Sequence, residues 1–352
     1  MTGNFQGENM TDTAAVSFQH IKREQRPIYI WPAWHSALST YKEPSTWKAC
    51  WQLVNTVVPY CILWLLMIYS IRHGYPYWLT LILTVIAAAF LVRIFILFHD
   101  CVHGSFFRKK GANTFFGYLF GVMVFTPFED WRFSHLRHHA TYANLDARGF
   151  GDIWTMTLNE YESSSTGKQL AYRLYRSPLV LIGVGALFSF LLRFRLPVKT
   201  STRKERMSVL FTNLLITGVI LIAAWNIGWQ TYLLIQLPMI WIAGATGVWL
   251  FFVQHQFDGV YWARKKEWDA LRAAMEGSSF YKLPGALRWF SGNIGFHHVH
   301  HLCSRIPNYR LKECYEAIPE LQARTPLTLC KSFSAIHLKV WNEESNKLVP
   351  FR

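Results

Sequence analysis

The sequence predicts an all-α integral membrane protein: two transmembrane helical hairpins (four spans), interfacial helices beside them, and a helical cap on the cytosolic side. Three observations carry this. Hydrophobic residues make up 51% of the chain and charged residues 16%, well below the quarter or so usual in soluble domains. Four apolar stretches each reach the roughly 20 residues that a helix needs to cross a bilayer. Basic residues are almost confined to the segments that such hairpins leave on one side.

Residues 1–47 read as a polar cytosolic segment without a signal-peptide core. Trp31 and Trp34 in "YIWPAWHSAL" are its interfacial anchor. Residues 48–352 read as one membrane domain. Its spans are expected at about 49–70, 77–98, 207–227 and 231–253. The connectors "IRHGYP" and "IGWQ" are too short for anything but a turn, so each pair forms a hairpin. Two shorter apolar stretches, 112–127 and 178–194, are flanked by basic residues. They are expected to lie in the interface or dip part-way in, with a six-span chain as the competing topology.

Charge orients the hairpins. With the N-terminus in the cytosol, the inside segments are 1–48, 99–206 and 254–352. They carry 5, 15 and 14 Lys and Arg, together 34 of 36. This is the positive-inside bias, and it places both termini in the cytosol and the chain in the cytoplasmic membrane. It also accounts for the net charge of +15 without nucleic acid, because the charge covers a face that meets anionic lipid. The six cysteines form no CxxC and no disulfide framework.

The cap of 99–206 and 254–352 carries the chemistry. Ten of fourteen histidines gather there. "HDCVH" holds His99 and His103 directly after the second span. "HLRHH" holds His135, His138 and His139. "NIGFHHVHH" holds His297, His298, His300 and His301. His255 follows the fourth span alone. Residues three and four apart share a helix face. Each triplet at i, i+3, i+4 stays within an arc of about 100°, so three helices can aim imidazoles at one centre. His298 is off that spacing and is assigned to the surroundings of the site or the surface. One such cluster reads as a hydrogen-bonded polar cap; three on one side read as metal binding. Neutral imidazole suits iron, zinc, copper and nickel. Nine nitrogens are too many for one ion, and an open, redox-capable site favours two irons over zinc.

Other chemistries lack their motifs. There is no ExxH pair, no HExxH and no GxGxxG, and no haem or iron–sulfur module, so electrons must come from a partner. The spans hold a single ionisable residue, Arg93, which counts against a metal transporter.

The three boxes on the cytosolic side of paired spans resemble those of the integral-membrane fatty acid desaturases. "FHDCVHGSFF", "HLRHHATYANLDARGFGDIWTMT", "LAYRLYR", "GVWLFFVQHQF" and "EGSSFYKLP…GNIGFHHVHHLCSRIPNY" are similar to the bacterial acyl-lipid group, whose members act at Δ5 and Δ12, over about 48–352. The resemblance implies a di-iron centre held by His99, His103, His135, His138, His139, His255, His297, His300 and His301. It implies introduction of a cis double bond into a membrane-lipid acyl chain with O2 and two electrons from a ferredoxin-type donor. Some members place a water-mediated asparagine one turn before the lone histidine. Phe251 stands there in this chain, and Gln254 is the candidate substitute. His298, Asp100, Asp152 and Gln254 are candidates to hold the imidazoles from behind, with Asp146 and Asn293 also near the boxes. Ser291 or Asn293 is expected to cap the third-box helix and Pro307 to end it. The rival readings are a membrane di-iron hydroxylase or ketolase, an acyl-CoA desaturase, and a non-enzymatic metal transporter or sensor.

Overall fold

The computed structural model describes residues 31–198 and 200–351. Residues 1–30, with most of the expected N-terminal segment, lie outside the described residues. Ala33–Arg352 forms one compact unit.

A 3-10 turn over Ala33–Tyr41 leads into α1, Thr46–Arg72, whose first turn is capped by the Ser45 hydroxyl accepting from Lys48 N. The chain reverses at 73–76 and returns as α2, Tyr77–His103. Gly104 ends α2 in the left-handed region at φ 67°, where a side chain would be strained. The short helices α3, Lys110–Met123, and α4, Phe128–Thr141, follow. Beyond a loop come α5, Leu158–Glu162, α6, Thr166–Tyr175, a π-helical stretch Leu179–Val184, and α7, Gly185–Leu191. The second hairpin is α8, Arg203–Ile227, and α9, Trp229–His255. The Glu205 carboxylate accepts from Thr202 N at the start of α8.

Four helices, α1, α2, α8 and α9, are long and apolar enough to cross a membrane. They are the four expected spans, each extended by two to five residues at one or both ends where the expected bounds fell short. The stretch expected at 112–127 became α3, packed on α2. The 178–194 stretch is bent by 65° from α6; counted with α6 as one broken span, it would be a fifth crossing. Six spans are not seen among the described residues.

Packing orders the hairpins. α2 lies against α1, α3 and α9 and is the most buried of the four. Its continuous apolar run, including Ile94, Leu97 and Phe98, fits that central place. The outer faces of α1 and α8 leave Leu65, Leu66, Leu214 and Ile222 exposed, as lipid-facing helices must. Arg72 Nη2 donates to Asn226 O at 2.6 Å, and Tyr77 OH to Leu234 O at 2.8 Å. These bonds join the two hairpins at the end away from the histidines.

The cap is closed by α10, Ala270–Met275, α11, Gly285–Phe290, α12, His297–Leu302, α13, Asn308–Ala317, and α14, Leu329–Ser332. Two small sheets, unforeseen in the sequence, tie it together. β1, Tyr281–Lys282, pairs in parallel with β2, Leu327–Thr328; β3, Val340–Asn342, pairs antiparallel with β4, Lys347–Val349. Each is too short to leave an alternating pattern. The first 3-10 turn joins this body through Leu38, buried with Ile294, Val299 and Leu311. Trp34 is partly buried against the same cluster, and Trp31 is exposed.

Two expectations at the third box fail. α12 begins after Phe296 with no side-chain cap, while Ser291 ends α11 and Asn293 sits in a turn at φ 58°. α12 is over by Leu302, and Pro307 precedes the first residue of α13. The signals were real but belong to neighbouring elements: a proline lacking N–H serves a helix start as well as a stop. α12 is instead held by backbone. Tyr281 N donates to Gly295 O at 2.7 Å, and a Cβ at Gly295 would stand 2.3 Å from Tyr281 O.

Candidate metal centre

The four apolar helices fix one end of the bundle, and every box histidine is delivered there. His99 and His103 project from the last turn of α2, His255 from the last residue of α9. α4 supplies His135, His138 and His139, and α12 supplies His297, His300 and His301. The nine imidazoles do not share one centre. Ring nitrogens of His99, His103, His135, His139 and His300 lie within 4.8 Å of one another. Those of His138, His255 and His301 form a second set. His297 Nε2 joins it, 3.0 Å from His255 Nε2 and 3.1 Å from His301 Nε2.

The division follows helix geometry more finely than the sequence reading did. In each box the pair four apart shares a set: His99 with His103, His135 with His139, His297 with His301. The residue at i+3 goes to the other set: His138 to the second, His300 to the first.

The contacts test whether hydrogen bonding alone explains the arrangement. In the first set Nε2 atoms meet in a run, His103–His135 at 2.9 Å, His135–His139 at 3.2 Å and His139–His300 at 3.0 Å. In the second, His138–His255 at 3.1 Å, His255–His297 and His297–His301 form another run. A neutral imidazole nitrogen offers one hydrogen or one lone pair. At most two of the three contacts in each run can therefore be hydrogen bonds. A metal held at about 2.1 Å by nitrogens at right angles spaces them about 3 Å apart. Two cations would thus satisfy the Nε2 atoms that hydrogen bonds leave short, and the residues fit the group.

Electrostatics favours the metal-binding form. Burial, with the neighbouring imidazoles adding to it, holds His135, His139, His297, His300 and His301 well below the ordinary histidine range. They are neutral at pH 7, with lone pairs free to ligate.

Residues behind the imidazoles are partly those expected. Asp152 Oδ1 lies 2.6 Å from His138 Nδ1, both groups buried. That contact puts the proton on Nδ1 and leaves the Nε2 lone pair facing the second set. Asp100 Oδ1 is 3.5 Å from His99 Nδ1, while its Oδ2 accepts from Asn308 N and Nδ2 at 2.7 and 2.8 Å. Gln254 donates to Ile294 O, so its amide is engaged with backbone. His298 is fully buried, contrary to a surface place, and its Nε2 meets Leu321 O at 3.1 Å. Burial pushes it down to about 4. Asp146 pairs with Arg264 at the surface, and Asn293 donates to Asn308 O.

Several contributors escaped the sequence. Trp131 stacks on His135 with centroids 4.3 Å apart. Tyr142 lies 4.0 Å from the His255 ring and donates to His255 O. Each is four residues along α4 or its end from a box histidine, a spacing that could have flagged them. Phe251 packs 5.1 Å from His255 and 5.4 Å from His138, so an apolar ring covers the second set. Arg148 shapes the loop that carries Asp152. It donates to Leu145 O, Thr155 O and both Glu160 oxygens. The buried Arg176 joins Gln256, next to His255, to Leu338 O. No spacing pattern marks these two arginines.

Comparison with known proteins bears on the same region. The family model described as "Fatty acid desaturase" matches residues 76–332, which include all nine histidines. A Bacillus subtilis (strain 168) protein named "Fatty acid desaturase" is 45% identical over 315 residues, 90% of this chain and 89% of that protein. A Synechocystis protein named "sn-1 acyl-lipid omega-3 desaturase (ferredoxin)" is 26% identical over 243 residues, 64% of this chain and 63% of its own. A Picosynechococcus "sn-1 oleoyl-lipid 12-desaturase" is 26% identical over 267 residues, 72% of each.

Proposed function

Since this chain belongs to the fatty acid desaturase family and is an oxygen-dependent oxidoreductase, we propose that its two histidine sets are a di-iron centre that desaturates acyl chains still esterified in membrane lipid. The observation that carries the reading is the pair of Nε2 runs, each with one more contact than hydrogen bonds can serve. His99, His103, His135, His139 and His300 would hold one iron; His138, His255, His297 and His301 the other. Bound iron supplies the oxidising power, drawn from O2 and two electrons, to take two hydrogens from an unactivated methylene pair.

The protein's own residues set the conditions. Burial keeps the imidazoles neutral and ready to ligate. Asp152 holds the His138 tautomer through a 2.6 Å contact. Trp131, Phe251 and Tyr142 pack against the rings and keep water from them. The apolar bundle below the cap suits an acyl chain, with the headgroup left at the interface and depth choosing the carbon. The basic face supports both termini in the cytosol and an acidic ferredoxin-type donor. Names of relatives support the lipid-borne substrate and the donor.

The test is an assay of the purified protein with reduced ferredoxin, supplied in turn with phospholipid and acyl-CoA. Gas chromatography–mass spectrometry with derivatisation locates the double bond. Desaturation of phospholipid is expected. Turnover of acyl-CoA alone refutes the lipid-borne substrate; an alcohol in place of an alkene refutes desaturation.

A further inference from the structure

A cavity lies at the membrane rim, on the histidine side of the bundle and separate from the histidine sets. It is about 340 Å³, within the size range of small-molecule sites. The first turns of α1, the short α11 and the start of α13 enclose it, with α2 behind. Four cationic side chains line it, Lys48, Arg93, Arg288 and Lys312, while Glu313 and Glu316 line the shallower hollow that adjoins it.

These cations come from four separate elements. A general excess of positive charge on one membrane face scatters lysines and arginines over a surface; it does not converge two of each on one hollow. The floor is fixed. Arg93 donates to Thr56 Oγ1 and Trp289 O and lies 3.9 Å over the Trp289 ring. The upper cations are available. Lys48 pairs at 3.6 Å with Glu313 and Lys312 at 3.3 Å with Glu316, and all four groups are about half exposed. Such wet pairs are weak and exchangeable. Arg288 has no side-chain partner among the described residues.

The surroundings say which anion. Trp47 and Trp51, one helical turn apart at the start of a span, are exposed beside the hollow. Tryptophan in that position marks the headgroup level of a bilayer. A cationic hollow there, framed by indoles, matches a phosphodiester tethered to acyl chains. We propose that this cavity binds the phosphate headgroup of a membrane lipid. The wall opposite connects to the chemistry: Gln52 exchanges hydrogen bonds with Asn308 at 2.8 and 3.1 Å, Asn308 donates to Asp100, and Asp100 faces His99. The site stands whether or not the lipid it holds also donates the reacting chain.

The experiment measures lipid retained by the full-length protein in mixed micelles, by mass spectrometry. Phosphatidylglycerol is compared with a diacylglycerol of identical chains. Wild type should prefer phosphatidylglycerol, and removing a cation should cut that preference about fivefold each time. The double variant Arg288→Gln/Lys312→Gln is the main test and Lys282→Gln, outside the cavity, the control. Iron content and elution volume report folding; should the double variant not fold, Arg288→Gln and Lys48→Gln are read singly. Equal retention of the two lipids by wild type, or an unaltered preference in the variants, overturns the proposal. Displacement of phosphatidylglycerol by millimolar inorganic phosphate assigns the cavity to a soluble anion and also overturns it. None of these readouts depends on desaturation.

Discussion

His138 and His139 are neighbours in the chain, yet their Nε2 atoms enter different sets. His138 Nε2 lies 3.1 Å from that of His255, and His139 Nε2 lies 3.0 Å from that of His300. The 100° between consecutive residues on α4 turns one ring towards the end of α9 and the other towards α2. Each half of the site is thus built from three helices, and α4 and α12 serve both.

Two irons per chain are expected, with His138→Ala and His139→Ala each removing one site's completeness. Activity should fall by more than about 100-fold in either, beyond the 10–100-fold typical of losing an outer partner. Elemental analysis with a turnover assay checks this. One zinc and no iron in an active preparation would contradict it.

Asp152→Asn keeps size but lets the amide offer its NH2 to Nδ1, which favours the wrong His138 tautomer. Iron affinity is expected to drop about 10–100-fold. Asp146→Asn, at the Arg264 surface pair, should leave affinity unchanged. Metal titration of both variants gives the answer.

For His298→Ala the loss should be one of stability. Its buried ring meets Leu321 O, away from the Nε2 runs. About 2 kcal/mol is expected from the unpaired carbonyl and the lost ring, with iron content retained. An iron loss equal to that of His139→Ala would place His298 in the centre.

Asn308→Ala strips one of two donors, Nδ2, from the buried Asp100 carboxylate and both partners from Gln52; the bond from the backbone N–H survives. A cost of about 2–3 kcal/mol is expected, because a charged acceptor is left short. Thermal unfolding in detergent measures it.

Both termini should report the cytosol, and the connector at Gly74 the opposite side. The basis is the bias of 34 among 36 basic residues. Reporter fusions at the C-terminus and cysteine labelling at position 74 decide it, and an external C-terminus would overturn the topology.

Sequence alone determined the four crossings and the eight histidines of the boxes, while the lone His255 was marked by the family resemblance. Both are local: a continuous apolar run has no alternative in a bilayer, and i, i+3, i+4 spacing reads directly as a helix face. Which imidazoles meet was decided by the packing of α2, α4, α9 and α12, since spacing says where a ring points and not what it meets. The same holds for Asp152, placed by Arg148 and a loop with no periodicity, and for Gly295, whose backbone approach to Tyr281 is a contact between strands too short to show a pattern. Ser291 and Pro307 carry correct local signals for helix ends, but α11 and α13 claimed them, because tertiary packing chose which helix each signal bounds.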